Sequence, residues 1–210
     1  MTTVLVDYGS GNLHSAQKAF ERMAREADAG EVRVSSRPED VAAADRVVLP
    51  GDGAFPACRA GLRAIDGLEH ALIEAVETRA VPFLGICVGM QMLATTGMEY
   101  ETVAGFDWVP GIVDRIDAPG LKVPHMGWND LVIERPHPVL DGIATGDHAY
   151  FVHSYAMETA APADRLVHVD YGGAVTAIIA RGNVVGTQFH PEKSQAAGLR
   201  LIANFLRWRP

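Results

Sequence analysis

The residue best placed for chemistry in this sequence is Cys87, within the stretch Gly-Ile-Cys-Val-Gly at residues 85–89. An apolar run at residues 81–84 precedes it, and a helix-like stretch at residues 90–94 follows. A nucleophile between glycines at a strand-to-helix turn is typical of a nucleophile elbow, here with cysteine in place of serine. Amide groups at the start of a helix favour a thiolate, so we predict that Cys87 is a reactive nucleophile.

A second chemical motif lies near the end of the chain, in Gln-Phe-His-Pro-Glu at residues 188–192. Proline holds His190 in an extended conformation, and residues i and i+2 of an extended chain project to the same side. His190 and Glu192 should therefore lie together and complete a triad with Cys87, as general base and orienting carboxylate. The alternative is that Glu192 is only an acidic residue in the first turn of the last helix.

Acyl transfer at a cysteine also needs hydrogen-bond donors for the negative oxygen that develops on the substrate. A nucleophile elbow supplies the N–H of the next residue, Val88, and another loop usually supplies a second donor. The loop Gly51-Asp52-Gly53 is the best candidate, because its glycines permit close approach of the backbone; the alternative is a plain turn after a strand. A carboxylate would oppose the developing charge, so we predict that the Asp52 side chain points away from Cys87.

Other potential sites carry weaker signals. Cys58 lacks the glycine pattern, and we interpret it as a small buried side chain. The glycines at residues 9–11 lack the third glycine of a dinucleotide-binding loop. The histidines outside residues 188–192 are spaced too irregularly to predict a metal site. We therefore expect neither a cofactor nor a metal.

The elements that must position these groups follow from the hydrophobic pattern. In the first half, short apolar strands alternate with amphipathic helices, which is typical of a parallel sheet covered on both faces. We predict an α/β fold with a flavodoxin-like, doubly wound, mostly parallel sheet, in which the loops at residues 9–11, 50–53 and 85–89 share one crevice. The second half is richer in strands, including one at residues 150–157, and a helix at residues 196–209 closes the chain. No linker or repeat interrupts the chain, so residues 1–210 should form a single domain.

Composition narrows the class of protein. The chain has 210 residues, 48% of them hydrophobic, and a formal net charge of −8, which argues against binding to a nucleic-acid backbone. Two cysteines make no disulfide framework and fit a reducing compartment. The first residues lack a basic segment, and no apolar run is long enough to span a bilayer. We expect a soluble, cytoplasmic protein.

The ordered motifs resemble a known family over nearly the whole chain. Together they are similar to the class I (triad) glutamine amidotransferases, and among these to the glutaminase subunits of imidazole glycerol phosphate synthases. The segments that carry this resemblance are DYGSGNL at residues 7–13, PGDGAF at 50–55, GICVGMQ at 85–91, PHMGWN at 124–129, YFVHSY at 150–155 and QFHPE at 188–192.

The resemblance implies that Cys87 attacks the side-chain amide of glutamine, that ammonia leaves, and that water hydrolyses the resulting thioester to glutamate. It also implies that Gln91, Ser154 and Tyr155 line the glutamine pocket together with the loop at residues 51–53.

The resemblance further implies a partner, a cyclase subunit with a (β/α)₈ barrel that forms a heterodimer with this chain. The cyclase would use the ammonia to make imidazole glycerol phosphate and aminoimidazole carboxamide ribotide in histidine biosynthesis. Five residues match positions expected at the interface: Asn12, Met126, Trp128, Tyr150 and Lys193. The acidic chain has no phosphate-binding loop of its own, which fits this division of labour.

Two other functions fit parts of the sequence. One is a stand-alone cysteine hydrolase of the same fold, such as a γ-glutamyl hydrolase or a peptidase-like enzyme, which would not need the segments at residues 7–13 and 124–129. The other is a redox sensor built on Cys87, which leaves the pairing of His190 with Glu192 without a purpose.

Overall fold

The computed structural model describes residues 1–210, with fourteen strands and six α-helices. The strands are β1 Thr2–Val6, β2 Glu31–Ser35, β3 Arg46–Gly51, β4 Phe83–Cys87, β5 Thr96–Gly97, β6 Val103–Ala104, β7 Gly111–Arg115, β8 His125–Asp130, β9 Val132–Ile133, β10 His148–His153, β11 Tyr155–Thr159, β12 Arg165–Asp170, β13 Ala174–Arg181 and β14 Val184–Thr187. The helices are α1 Leu13–Ala27, α2 Pro38–Ala42, α3 Phe55–Ala64, α4 Leu68–Ile73, α5 Val88–Gln91 and α6 Gln195–Arg207.

The main sheet has eight strands in the order β2-β1-β3-β4-β14-β13-β12-β9. The first five strands are parallel to one another, and the pairs β14–β13, β13–β12 and β12–β9 are antiparallel. Every residue of β3 and β4 is buried, as expected for parallel strands covered on both faces. The predicted flavodoxin-like arrangement is confirmed, with an antiparallel extension from the strand-rich second half.

The helices follow the apolar pattern of the sequence. Helix α1 begins after Asn12, whose side-chain oxygen accepts a hydrogen bond from the N–H of Ser15 at 3.4 Å. Its buried face packs on α6, where the rings of Phe20 and Phe205 meet edge to face at 6.5 Å. Helices α3 and α4 are separated at Gly67, whose φ of 77° belongs to the left-handed region.

Two smaller sheets carry the rest of the second half. One pairs β10 with β8, and the other has the order β11-β7-β5-β6. The single strand predicted at residues 150–157 is wrong, because the chain bends at Ser154 and places β10 and β11 in different sheets. The structure contains no helix with the length and apolar character needed to cross a membrane.

Candidate active site

Cys87 lies at the tight turn between β4 and α5, with a φ of 56° that residues other than glycine rarely adopt. The flanking glycines are required by close packing: a Cβ on Gly89 would overlap the carbonyl oxygen of Leu49, and one on Gly85 would lie 2.5 Å from that of Gly89. Helix α5 ends at Gln91, earlier than predicted, so the helical dipole behind Cys87 comes from a single turn. The close packing around Gly85 and Gly89 and the strained backbone of Cys87 therefore fix the position of the thiol at this turn.

Strand pairing brings the second motif to Cys87. Strand β14 lies parallel to β4 with Thr187 opposite Ile86, so the segment after β14 leaves the sheet beside the turn that carries the thiol. Burial lowers the pKa of the His190 imidazole, but the interactions of the ring with Cys87 and Glu192 outweigh burial and raise that pKa to about 10. The site therefore favours an imidazolium next to the sulfur.

The carboxylate of Glu192 contacts this imidazole. His190 Nδ1 lies 3.0 Å from Glu192 Oε1, and the two side chains are only 4% and 2% exposed. Glu192 belongs to a short 3₁₀ turn at Pro191–Lys193, whereas α6 begins at Gln195. Glu192 is therefore not in the first turn of the last helix, and the turn, rather than an extended chain, brings the two groups together.

A cavity of about 270 Å³ opens beside the sulfur. The predicted residues that line it are Asp52, Gly53, Cys87, Val88, Gln91, Ser154 and Tyr155. Sequence reasoning missed four further lining residues: Glu99, Pro124, Val152 and His153. Pro124, Val152 and His153 stand in segments that carried the family resemblance, but no pattern in the sequence marked Glu99, which is buried and accepts a hydrogen bond from the N–H of Phe55.

Gly51 lies behind this wall rather than on it, where a Cβ would come within 2.6 Å of the Gly89 nitrogen. The N–H of Asp52 donates to the Ser10 hydroxyl at 3.0 Å, and that hydroxyl donates back to the Asp52 carbonyl at 2.7 Å. The Asp52 N–H is therefore already engaged by a hydroxyl of the neighbouring loop. The Asp52 carboxylate makes no hydrogen bond or ion pair, and its orientation relative to Cys87 stays a prediction.

The loops at residues 9–11 and 50–53 meet at this edge of the sheet, as predicted. The Tyr8 hydroxyl donates to the Pro50 carbonyl at 2.8 Å, and burial raises the pKa of this hydroxyl. Cys58 lies beneath them, 2% exposed, with its sulfur 3.3 Å from the Ser10 hydroxyl oxygen. Burial raises the pKa of the Cys58 thiol, which fits its interpretation as an unreactive buried side chain.

The chain is similar to known proteins over its whole length. Residues 4–208 match the family described as glutamine amidotransferase class-I. The chain belongs to this family. A similar curated relative is "Imidazole glycerol phosphate synthase subunit HisH" of Cereibacter sphaeroides, 67% identical over the full length of both chains. The protein of that name from Ruegeria pomeroyi is 65% identical, again over both full lengths.

Solved structures agree on the fold of this amidotransferase. A crystal structure described as a glutamine amidotransferase has a TM-score of 0.74 at 20% identity and covers 97% of each chain. A second glutamine amidotransferase, from Thermotoga maritima, has a TM-score of 0.66 at 18% identity, over 91% of this chain and 76% of its own.

Of the five residues expected at a partner interface, three are exposed and two, Tyr150 and Lys193, are half-buried. Met126 and Trp128 on β8 are 63% and 47% exposed, although both are large and apolar. The ring of Trp128 lies 5.9 Å from that of Tyr150 on the paired strand β10. Asn12 is exposed at the start of α1, and Lys193 is half-buried in the 3₁₀ turn beside Glu192. Exposed apolar side chains of this size are typical of interaction sites.

Proposed function

We propose that this amidotransferase hydrolyses glutamine to glutamate and ammonia through a thioester on Cys87. The thiolate of Cys87 attacks the side-chain amide carbon, and the imidazolium of His190 protonates the departing ammonia. His190 then removes a proton from water, which hydrolyses the thioester. Glu192 holds the imidazole in the required tautomer and stabilises its charged form.

The observation that carries this proposal is the buried contact of His190 with Glu192 beside a cysteine held at positive φ. The cavity supplies complementary groups for an amino acid, because the buried carboxylate of Glu99 suits an ammonium group and the amide of Gln91 suits a polar side chain. A backbone N–H at Val88 would serve the developing oxyanion together with one from the loop at residues 51–53, where that of Asp52 is held by Ser10 and that of Gly53, which lines the cavity, is left as the donor.

We further propose that the ammonia passes to a cyclase subunit with a (β/α)₈ barrel, which makes imidazole glycerol phosphate and aminoimidazole carboxamide ribotide in histidine biosynthesis. The relatives named HisH, with 67% and 65% identity over full length, support this assignment. Ammonia released into water would largely become ammonium, which is not a nucleophile, so a partner that covers the cavity is chemically sensible. In this proposal residues 1–210 act as one glutaminase domain in the cytoplasm, a compartment that suits the two free cysteines.

The experiment is reconstitution with the cyclase of the same organism, with synthesis measured from glutamine and from ammonia. Glutamine-dependent synthesis should require both chains. Cys87→Ala should abolish it while leaving ammonia-dependent synthesis intact, whereas Cys58→Ala should leave both nearly unchanged. Removal of one oxyanion donor typically costs about 10²–10³ in turnover, and loss of the nucleophile should cost more.

Two results would refute this function. Equal effects of the two cysteine substitutions would remove the special role of Cys87. Glutamate release that ignores the cyclase and its nucleotide would favour the stand-alone hydrolase instead.

A further inference from the structure

The structure contains a pair of buried histidines that the proposed chemistry does not use. His125 on β8 and His153 on β10 face each other across the strand pair and are 2% and 6% exposed. His125 Nδ1 lies 3.0 Å from His153 Nε2. The ring of His125 is stacked between those of Phe151 and Tyr171, at centroid distances of 4.8 and 4.0 Å.

The direction of the hydrogen bonds through this pair is fixed by its last acceptor. His153 Nδ1 lies 2.9 Å from the Tyr155 carbonyl, which can only accept, so Nδ1 carries the proton and Nε2 must accept from His125. His125 Nε2 is then an acceptor too, and it lies 3.2 Å from the amide nitrogen of Asn129. The donors therefore all point one way, from Asn129 through both imidazoles to the Tyr155 carbonyl.

The same carbonyl holds a side chain of the cavity. Gln91 Nε2 donates to the Tyr155 carbonyl at 2.9 Å and to Gln188 Oε1 at 3.1 Å, which uses both of its N–H groups. Gln188 Nε2 in turn lies 3.8 Å from the sulfur of Cys87. Gln91 Oε1 has no partner within the protein, so the group that Gln91 can offer to a bound molecule is an acceptor.

The other end of this series of hydrogen bonds lies under the exposed apolar side chains of Met126 and Trp128. Side chains alternate along β8, so His125 and Asn129 lie on the inward face of the strand, opposite the exposed Met126 and Trp128. The hydrogen-bonded series of Asn129, His125, His153 and the Tyr155 carbonyl, named here the histidine relay, thus connects the β8–β10 ribbon with the cavity wall.

We propose that the histidine relay is a positioning device that fixes the Gln91 amide with its oxygen toward the cavity, to accept an N–H of glutamine. This inference rests on the proposed glutaminase activity. His125 and Asn129 do not line the cavity, and they act on it through His153, which does, and through the Tyr155 carbonyl that holds Gln91.

The test uses two variants in the reconstituted complex. His125→Phe keeps a stacked ring but removes the donor to His153, and Asn129→Asp keeps the shape of the first residue but removes its donor. Because Gln91 binds glutamine equally in ground and transition states, KM for glutamine should rise about 2- to 10-fold with kcat nearly unchanged, the range expected for one hydrogen bond. His137→Phe, at a histidine whose ring meets that of Trp208 edge to face outside the cavity, is the control and should leave KM unchanged.

A double-mutant cycle completes the test. In the background of Gln91→Ala, His125→Phe should have no further effect on KM, because the group that the relay positions is gone. A purely structural role for the histidines would lower the active fraction at unchanged KM, and that result overturns the proposal. So does a wild-type KM in both variants. Absence of glutamine-dependent synthesis in the wild-type complex would instead refute the proposed function.

Discussion

Replacement of Glu192 by glutamine isolates the part that one carboxylate plays in the site. The pKa of His190 rises from 6.5 to about 10, which corresponds to roughly 5 kcal/mol in favour of the imidazolium, shared between Glu192 and Cys87. The variant keeps the size of the side chain but loses its charge. Its amide can also donate to Nδ1, which selects the tautomer that cannot take a proton at the cysteine side.

We expect Glu192→Gln to lower glutamine-dependent turnover by about 10²–10⁴, the usual contribution of general acid–base catalysis, while ammonia-dependent synthesis is unaffected. The pH profile adds a second readout. In the proposed mechanism the imidazolium protonates the departing ammonia, so activity should be lost as pH rises through the pKa of His190, near 10 in the wild type. Loss of the adjacent carboxylate should move that alkaline limit down by about 1–3 pH units.

A matched control exists outside the cavity. Glu134 contacts Nδ1 of His168 in a similar carboxylate–histidine pair, outside the cavity. Glu134→Gln should leave both turnover and the alkaline limit unchanged. A Glu192→Gln enzyme with wild-type turnover and an unmoved pH profile would refute the role given to this carboxylate.

Three further predictions follow from packing, burial and exposure. Gly89→Ala should destabilise the protein by about 1–3 kcal/mol or more in urea denaturation, because the added Cβ would overlap the carbonyl oxygen of Leu49. Gly173→Ala is the control and should be neutral, because its Cβ would meet no other atom. Burial lowers the pKa of His125 and His153 to about 4. The free energy of unfolding should therefore be insensitive to these groups above pH 6.5 and should fall between pH 6.5 and 4, on the order of 1 kcal/mol per pH unit for each histidine. A urea midpoint that stays constant between pH 6.5 and 4 would contradict this. Trp128→Ala should weaken binding of the cyclase by about 2 kcal/mol or more in calorimetry, and unchanged affinity would place the interface elsewhere.

The sequence predicted those parts of the site that depend on local pattern. The glycines around Cys87 predicted a tight turn because only glycine fits where β4 and its following helix touch. The two-residue spacing of His190 and Glu192 predicted their contact, although through an extended chain rather than the 3₁₀ turn found. Alternating strands and helices predicted the parallel sheet.

What the sequence could not predict depends on contacts between distant segments. Nothing in the local pattern marks Glu99 as a wall of the cavity, since its position depends on how β5 and β6 fold back on β7. The bend at Ser154 is also invisible in a run of strand-forming residues. The loop pattern makes the Asp52 amide a candidate oxyanion donor, but the Ser10 hydroxyl that engages it lies 42 positions away.

The position of β14 has a consequence for how activity appears during synthesis. This strand comes late in the chain yet lies inside the main sheet, between β4 and β13. A growing polypeptide can therefore form the thiol-bearing turn long before its imidazole has left the ribosome. On the proposed mechanism the nascent chain stays inert until the segment after β14 has been made, so a product that stops before His190 cannot hydrolyse glutamine.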